Sequence, residues 1–259
     1  MQIGEKIAAL VATPDSDEPC WACEEPPAGS QKNDLDEQPS SMGDAENDLH
    51  NDSSKLGKNL GFRPSWQVKV PHVVNGDAVT VTAPVTPAAH HVIPGNASLA
   101  KTPKLLDLME KKRGKVRDDI GYDVNSAQNG VWLPGNYGVS KDSMFSRKWS
   151  DYVFKLEYAM AAMNAARAQF HDSHPIYSAQ VKQSLRALAD KITLHAPERC
   201  GICGKELSDK SRPPYGLVGR LNRLAAVHKM FLRGPVRKWP VSNGYFTSAW
   251  STTKAATGT

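Results

Sequence analysis

The alternation of apolar and polar positions predicts a β-hairpin over residues 66–84, WQVKVPHVVNGDAVTVTAP. Two runs rich in β-branched residues flank Asn75-Gly76-Asp77, and Asn-Gly supplies the positive φ angles that a tight two-residue turn requires. A further short extended segment is predicted at 89–94, between prolines. The first half of the chain is therefore expected to supply the strands.

Three- and four-residue spacing of apolar residues predicts helices in the second half of the chain. The first helix spans 151–170, with Ser150 as its N-cap. A second helix follows Pro175, which suits a first helical turn and places His174 at the helix start. A third covers 217–233, and residues 104–113 predict a shorter amphipathic helix. The predicted apolar face of the first helix comprises Tyr152, Leu156, Ala159, Met160 and Met163.

Charge divides the chain into two unequal parts. Residues 1–54 contain 13 acidic and two basic side chains, a net charge of −11, whereas residues 55–259 have a net charge of +16. A body this basic suits a polyanionic partner, because neutralised phosphates release condensed counterions. Residues 28–58 are polar and acidic, so they are predicted to form a flexible linker that cannot bury enough apolar surface to fold.

Several classes of protein are excluded by the same composition. No stretch approaches the roughly 18 consecutive apolar residues of a membrane-spanning helix. Glu5 precedes the apolar N-terminal run and no cationic region stands before it, so we predict no cleavable signal peptide. Four cysteines are too few for a disulfide-rich scaffold, and their pairing as two C-x-x-C motifs indicates metal or redox chemistry.

The candidate catalytic residues lie in three motifs. These are AAHHVIPG at 88–95, DVNSAQNGVWLP at 123–134 and HPIYSAQV at 174–181. Adjacent histidines such as His90 and His91 point to opposite faces of an extended strand, so the pair alone is weak support for a site. In this order, however, the three motifs resemble the AHH nucleases, a branch of the HNH/endonuclease VII superfamily that occurs among bacterial toxin domains. The resemblance covers roughly residues 85–195.

The resemblance implies a ββα-metal finger, in which a β-hairpin with the paired histidines packs on a helix around one divalent cation. By the same resemblance, His90 and His174 are metal ligands, and His91 is the general base that takes a proton from the attacking water. Asn129 matches the motif asparagine, which either ligates the metal or holds the base and the hairpin loop in place.

This residue set suits hydrolysis of a phosphodiester. A divalent cation neutralises charge on the scissile phosphate and on the departing 3′ oxygen. Histidine is a suitable base because its reference pKa near 6.5 leaves it mostly neutral in cells. We expect Mg²⁺ as the ion, with Mn²⁺, Ni²⁺ or Zn²⁺ as alternatives.

Four nearby residues have simpler interpretations. Asp123 and Asn125 are interpreted as turn residues, and Tyr177 as either a phosphate contact or a packing residue. His171 is interpreted as a solvated loop histidine rather than as a ligand.

The cysteine pairs Cys20–Cys23 and Cys200–Cys203 have the spacing of zinc knuckles, each able to supply two thiolates. We predict that they share one structural zinc, which would close a loop across the 176 residues between them. Unpaired thiols and a redox pair are the alternatives. Endonuclease VII relatives also carry structural zinc on C-x-x-C pairs, although closer to the catalytic hairpin.

The C-terminal part of the chain is predicted to bind nucleic acid. Residues 199–238 contain ten Lys and Arg against two acidic residues, with aromatic residues interleaved. The alternative is a solvated helix face. The predicted phosphate-binding residues are Arg212, Arg220, Arg223, Arg233 and Arg237.

These observations predict an α+β fold, with the ββα-metal core embedded in a mostly helical domain and a four-cysteine zinc clip. Four segments are expected: an N-terminal segment with the first C-x-x-C pair, the acidic linker, the nuclease domain and a basic C-terminal region. Their bounds are 1–27, 28–58, 59–198 and 199–259.

The function expected from the resemblance is a metal-dependent DNA endonuclease with little sequence specificity, acting as a secreted antibacterial toxin. It would be made in the bacterial cytoplasm and delivered into target cells without a cleavable signal peptide. Its expected partners are nucleic acid, a cognate acidic immunity protein and a secretion adaptor or chaperone. An RNase of the same fold and a non-catalytic, zinc-stabilised nucleic-acid-binding module are the alternatives.

Overall fold

The structure of the chain is a computed structural model that describes residues 3–13, 20–23, 46–113, 116, 119–137, 139, 148–194, 198–207, 216–240 and 243–258. The fold is mixed α+β, as expected from the sequence, with helices and two small two-stranded sheets. Its described helices are α1 (Ile3–Ala12), α2 (Ser53–Asn59), α3 (Pro103–Leu106), α4 (Lys155–Ala166), α5 (Pro175–Ile192), α6 (Leu217–Leu232) and α7 (Ala249–Thr257). Its strands are β1 (Trp66–Val74), β2 (Asp77–Val85), β3 (Pro87–His91) and β4 (Gly130–Pro134).

The chain divides into two compact units, each assembled from three separate stretches of sequence. Unit 1 comprises Met1–Asp52, Ile93–Asn129 and Ser178–Val227. Unit 2 comprises Ser53–Val92, Gly130–Tyr177 and His228–Thr259. These units do not follow the four consecutive segments expected from the sequence.

In unit 2, β1 and β2 form the predicted hairpin, antiparallel from Trp66↔Val85 to Val74↔Asp77. Asn75 has φ 51° and Gly76 has φ 94°, which is the backbone that a tight hairpin turn needs. The prediction of a hairpin with an Asn-Gly turn is therefore confirmed.

One face of this hairpin packs in the hydrophobic core of unit 2. Val68 and Val70 of β1 are buried there with Ala83 and Val85 of β2. Helix α4 contributes its buried face, which consists of Tyr158, Ala159, Ala162 and Met163. Phe170, Trp239 and Phe246 complete the same cluster.

Helix α4 differs from its prediction in three respects, one of which is that it ends at Ala166 and not at residue 170. It begins at Lys155, not directly after Ser150, because residues Trp149–Asp151 form a separate 3₁₀ turn. Leu156, which was assigned to the buried face, is exposed. The alanine-rich sequence leaves both faces weakly apolar, so packing against the hairpin determines which face is buried.

The second hairpin of unit 2 pairs β3 with β4, in antiparallel register from Pro87↔Pro134 to His91↔Gly130. Helix α2 lies against it. A Cβ at Gly57 would meet the ring of Trp132 at 3.3 Å and Ala89 at 3.8 Å, so the absence of a side chain allows the close approach. The paired histidines are therefore on β3–β4 and not on the longer hairpin.

The described part of the segment that was predicted to be a flexible linker is ordered, so the prediction is wrong there. Residues 53–58 belong to α2 in unit 2, and residues 46–52 lie in unit 1. Asn47 donates from Nδ2 to the Met109 carbonyl at 2.8 Å and accepts from the Tyr122 amide at 2.9 Å. Asp48 forms a bridge with Asp123. These hydrogen bonds hold residues that composition alone marks as unstructured, whereas residues 28–45 lie outside the described part of the chain.

Helix α3 is shorter than the helix predicted at 104–113. It spans one turn, and the chain continues through turns to a 3₁₀ helix at Lys111–Arg113. By contrast, α5 and α6 match the predicted helices closely. None of the helices in the described ranges is both long enough and apolar enough to cross a membrane.

Candidate metal centres

The β3–β4 hairpin places the paired histidines at the end of a strand. His90 lies opposite Val131 and His91 lies opposite Gly130. Both side chains are buried, with exposed fractions of 2% and 6%. A Cβ at Gly130 would lie 2.6 Å from Leu56 Cδ1 and 2.9 Å from Leu60 Cδ2, so a side chain opposite His91 would require these leucines to shift.

The second motif histidine lies at the start of α5. Pro175 occupies the first turn of this helix, so His174 directly precedes it, as predicted. His171 precedes it by three residues and donates its backbone amide to the Pro134 carbonyl at 2.7 Å. That hydrogen bond ties the segment before α5 to the end of β4.

Three histidines come together in unit 2, and we refer to His90, His171 and His174 as the histidine centre. One ring nitrogen from each lies within 4.8 Å of the others. The ring of His90 is 5.1 Å from that of His171 and 4.9 Å from that of His174, centroid to centroid. The interpretation of His171 as a solvated loop residue is therefore wrong, and its ring belongs to the candidate metal-binding cluster.

The protonation of these residues also suits metal binding. Burial lowers the pKa of His90 well below its ordinary value, and the charges of His171, His174 and His91 lower it further. Burial, followed by the same neighbouring charges of His174 and His91, lowers the pKa of His171 to about 4. Burial likewise lowers the pKa of His174. Neutral imidazoles are the form that binds a metal ion.

A polar atom in the centre supports the same fit. His90 Nε2 is buried and has no hydrogen-bond partner among the described residues. Buried polar atoms are nearly always satisfied, and a bound cation would satisfy this one. The three histidines thus fit a divalent ion by donor type, spacing and protonation.

Tyr177 supports the centre from the first turn of α5. Its hydroxyl donates to the Val92 carbonyl at 2.7 Å, directly after His91 in the chain. Its ring lies 5.3 Å from that of His90 and 5.9 Å from that of His174. The hydroxyl is therefore engaged with the backbone, which favours the packing interpretation over a phosphate contact.

Asp172 is a supporting residue that the sequence did not indicate. Its carboxylate accepts hydrogen bonds from the Ser173 amide at 2.9 Å and from Trp250 Nε1 at 3.3 Å. Its backbone amide donates to the Thr247 carbonyl at 3.2 Å. Residues near α7 thus hold the segment between His171 and His174.

Asn129 lies in unit 1, where its side-chain amide is fully used by the backbone. Oδ1 accepts from the Ile93 amide at 2.7 Å, and Nδ2 donates to the carbonyls of Ile93 at 3.0 Å and Val124 at 2.8 Å. Of the two roles left open for this residue, the hydrogen bonds favour holding the loop that follows β3. Asn125 is similarly engaged, accepting from the Asp52 amide at 2.8 Å.

The four cysteines form a second cluster, the cysteine centre, which lies entirely in unit 1. Cys20 Sγ lies 3.7 Å from Cys200 Sγ, and Cys23 Sγ lies 3.5 Å from Cys203 Sγ. A disulfide would require about 2.0 Å. Sulfur atoms on a regular tetrahedron of 2.3 Å zinc bonds are about 3.8 Å apart, close to the observed distances. The four sulfurs therefore have zinc-site spacing.

The electrostatics of the cysteine centre favour the thiolate at Cys200 alone, because the hydrogen bond with Cys200 raises the pKa of Cys20 and burial raises the pKa of Cys23. The thiol of Cys20 and the backbone amides of Cys203 and Ile202 lower the pKa of Cys200 below its ordinary value. The Ile202 amide lies 3.4 Å from Cys200 Sγ, an N–H···S contact typical of a knuckle. Gly204, with φ 74°, closes that turn.

Arg220 corrects the predicted phosphate-binding set. It is only 5% exposed, and its guanidinium donates to the carbonyls of Val11 and Thr13, both at 3.4 Å. The same group lies 5.3 Å above the Trp21 ring. It therefore binds the end of α1 and the first C-x-x-C turn, and is not available to a phosphate.

The other predicted phosphate-binding arginines differ in placement. Arg233 and Arg237 are exposed, and Arg223 is half-buried. Arg212 lies outside the described residues. Arg233 forms a bridge with Ala168, three residues before His171. Among the predicted phosphate-binding arginines, Arg233 therefore lies beside the segment that leads to His171 of the histidine centre.

A comparison with known protein families gave a match that includes the residues of the histidine centre. Residues 74–200 match the model of AHH, described as a nuclease family of the HNH/ENDO VII superfamily with conserved AHH. This match confirms the resemblance drawn from the three motifs. No curated protein and no solved structure gave a match.

Proposed function

We propose, on the premise that residues 74–200 are an AHH-family nuclease region, that the protein is a metal-dependent DNA endonuclease with little sequence specificity. The observation that carries this proposal is the histidine centre, in which the pKa values of all three imidazoles are lowered. His90 is buried on the strand that also carries His91, and the partly buried His171 and His174 lie in the segment before α5. Hydrolysis is the nuclease reaction that such a set supports.

The roles follow from the chemistry of each residue. His90, His171 and His174 would hold a divalent cation, which when bound supplies positive charge for the scissile phosphate and the leaving oxygen. His91 would accept the proton of the attacking water. His91 directly follows His90 on β3, and its charge lowers the pKa of both His90 and His171.

Three nitrogen ligands change the expected ion. The set predicted from the sequence contained an amide oxygen, whereas His171 replaces it with a third imidazole. Imidazole suits Zn²⁺ and Ni²⁺ better than it suits Mg²⁺, and Mn²⁺ lies closer to Mg²⁺ in its preference for oxygen ligands. We therefore expect Zn²⁺ and Ni²⁺ to bind more tightly than Mg²⁺, with activity tested in all four.

The cysteine centre would hold a structural zinc. Four thiolates fill a tetrahedral shell and leave no position for a substrate, which is typical of a structural site. The zinc would fasten α1 and its following turn to residues near Cys200, together with Arg220.

We also propose a biological role as a delivered antibacterial toxin with an acidic immunity protein. The support is the family match and the net charge of +16 on residues 55–259, which would speed association with an acidic inhibitor. A nearby gene for a small acidic protein whose product inhibits cleavage would test this role, and a product without effect on cleavage would count against it.

The catalytic proposal is tested with supercoiled plasmid, purified protein and His91→Ala. We expect nicking by the wild type with a divalent ion, none with EDTA, and a rate lower by about 10² to 10⁴ for the variant, as for loss of a general base. A mobility shift without nicking in any of the four ions would instead indicate a binding module. Equal cleavage of a matched RNA would indicate a nuclease that does not select DNA.

A further inference from the structure

Phe62 is an exposed aromatic residue that directly follows the end of α2. Its exposed fraction is 87%, the largest among the large hydrophobic side chains described. Gly61 ends α2 with φ 71°, and its amide donates to the Lys58 carbonyl at 3.1 Å, so the chain turns out of the helix there. This turn ends the helix just before the aromatic residue.

The segment around Phe62 runs along the hairpin that carries His91. Leu60 lies at the Gly130 end, where a Cβ on that glycine would be 2.9 Å from Leu60 Cδ2. Gly130 is the partner of His91. At the other end of β3, Arg63 Nη2 donates to the Pro87 carbonyl at 3.5 Å.

The face of the hairpin beneath this segment is the one that includes His91. Gly57 lies against Ala89, and alternation along a strand puts Ala89 and His91 on the same face. His91 and Pro87 are four residues apart, which is about 13 Å along a strand. Phe62 therefore lies in a segment whose neighbouring residues contact both ends of the strand that carries the proposed general base.

Charge around Phe62 has one sign. Residues 53–76 contain Lys55, Lys58, Arg63 and Lys69 but no Asp or Glu. Lys58 and Arg63 are exposed. Scattered exposed hydrophobic residues are ordinary, but an aromatic ring between two exposed cations is the pattern of a single-strand-binding surface. Bases stack on such rings while the cations contact phosphates.

We propose that Lys58, Phe62 and Arg63 form a nucleic-acid-binding patch, in which a base of the substrate strand stacks on Phe62 and the two cations bind flanking phosphates. The proposal rests on the proposed nuclease function and deepens it, since the patch lies outside the region matched by the family model. It predicts preference for single-stranded or locally unpaired nucleic acid, because stacking on Phe62 requires an unstacked base.

The test measures binding of short fluorescent single-stranded and duplex DNA by the full chain in EDTA, where cleavage does not interfere. Phe62→Ala is compared with Phe62→Trp, with the Lys58→Gln/Arg63→Gln double variant, and with Val153→Ala. Val153 is a matched control because it is a 68% exposed hydrophobic residue of the same unit.

We expect Phe62→Ala to weaken single-strand binding about tenfold, in the range for one lost base stack. Phe62→Trp should restore the affinity, and Val153→Ala should match the wild type. The double variant should reduce the slope of log affinity against log salt by about 1.4, at about 0.7 per phosphate contact.

Single-strand affinity of Phe62→Ala within twofold of the Val153→Ala value would overturn the patch, as would failure of Phe62→Trp to restore binding. A dimer that Phe62→Ala dissociates, with unchanged affinity for DNA, would assign the ring to a second copy of the chain and also overturn it. Wild-type binding without cleavage in any metal would refute the nuclease and leave the patch standing. Normal cleavage with unchanged Phe62→Ala binding would refute the patch alone.

Discussion

The histidine centre presents three imidazole nitrogens from a strand and a helix start, whereas the cysteine centre presents four thiol sulfurs from two short turns. Three ligands leave coordination positions open to a phosphate and a water, while four fill a tetrahedral shell. The first arrangement is typical of a reactive ion, and the second of an ion that only holds chain segments together.

The two clusters also differ in what sets the protonation state of their metal ligands. In the histidine centre burial keeps the imidazoles neutral, which is the ligand form. In the cysteine centre hydrogen bonds to sulfur favour the thiolate of Cys200. Burial alone would disfavour a thiolate, and at Cys200 the hydrogen bond with the Cys20 thiol and then the knuckle amides outweigh it.

The largest effect is expected from His171→Ala, which tests whether the histidine centre has three ligands. Mutation of a residue that only supports a ligand lowers metal affinity by up to about 100-fold. Loss of a ligand itself should therefore lower the affinity by more than that. Calorimetric titration with Zn²⁺ and Mn²⁺ measures it. Asp172→Asn is the matched control, and affinity of His171→Ala equal to that of this control would reduce the centre to two ligands.

Mutation of the cysteine centre should change the unfolding free energy of the protein and not its catalysis. Cys200→Ser should lose one zinc per chain and about 4 kcal/mol of unfolding free energy, the linkage expected at about a thousandfold excess of zinc over its dissociation constant. Cleavage per folded molecule should not change. Metal analysis and denaturant unfolding measure both effects, and unaltered zinc content would remove the four-cysteine site.

Low pH should lower the unfolding free energy of unit 2, because protonating a buried imidazole is unfavourable. His228 tests this effect separately from metal binding, since it is not a proposed ligand. It lies among the rings of Tyr177, Phe231 and Tyr245, and its ring nitrogens have no hydrogen-bond partner in the described part of the chain. Burial lowers its pKa to about 4.

The sign follows from the proton balance. The unfolded chain protonates this histidine below about pH 6.5 and the folded protein does not, so unfolding free energy falls as pH drops from about 6.5 to 4. The loss is about 3 kcal/mol. In EDTA, His228→Phe should reduce the slope of unfolding free energy against pH. His90 and His171 contribute equally to that slope in the wild type and in the variant. An equally steep slope in the variant would contradict the burial argument.

The smallest effect is expected at Asn129, where the role of the side chain is tested. Asn129→Ala leaves the buried Ile93 amide unpaired and should cost about 2 kcal/mol of unfolding free energy. Asn129→Asp keeps the acceptor and should cost less. Metal stoichiometry at the histidine centre should stay the same in both variants, so loss of that metal would restore Asn129 as a ligand.

Much of the candidate site could be predicted from the three motifs, since their order identified His90, His91, Asn129 and His174. His171 was missed because a histidine in a short loop is usually solvated. The signal that could have found it is the His-x-x-His spacing before a helix, which puts both rings near one turn. Its participation still depends on the amide bond of His171 to Pro134, which no local pattern indicates.

The fold was predicted best where backbone geometry is local. Helix α5 begins where Pro175 permits it, but the buried face of α4 and the order in residues 46–52 were not predicted. Both depend on partners distant in sequence. The same is true of Arg220, which any charge count assigns to the surface and which the carbonyls at the end of α1 hold inside.

The sequence by itself determined the Asn75-Gly76 turn, the two knuckles and the type of chemistry, because backbone angles and ligand chemistry are properties of a few adjacent residues. Tertiary structure decided which histidines meet, which sulfurs pair and which cations remain exposed. Those outcomes depend on burial and on hydrogen bonds between segments that lie up to 180 residues apart in the chain, as Cys20 and Cys200 do.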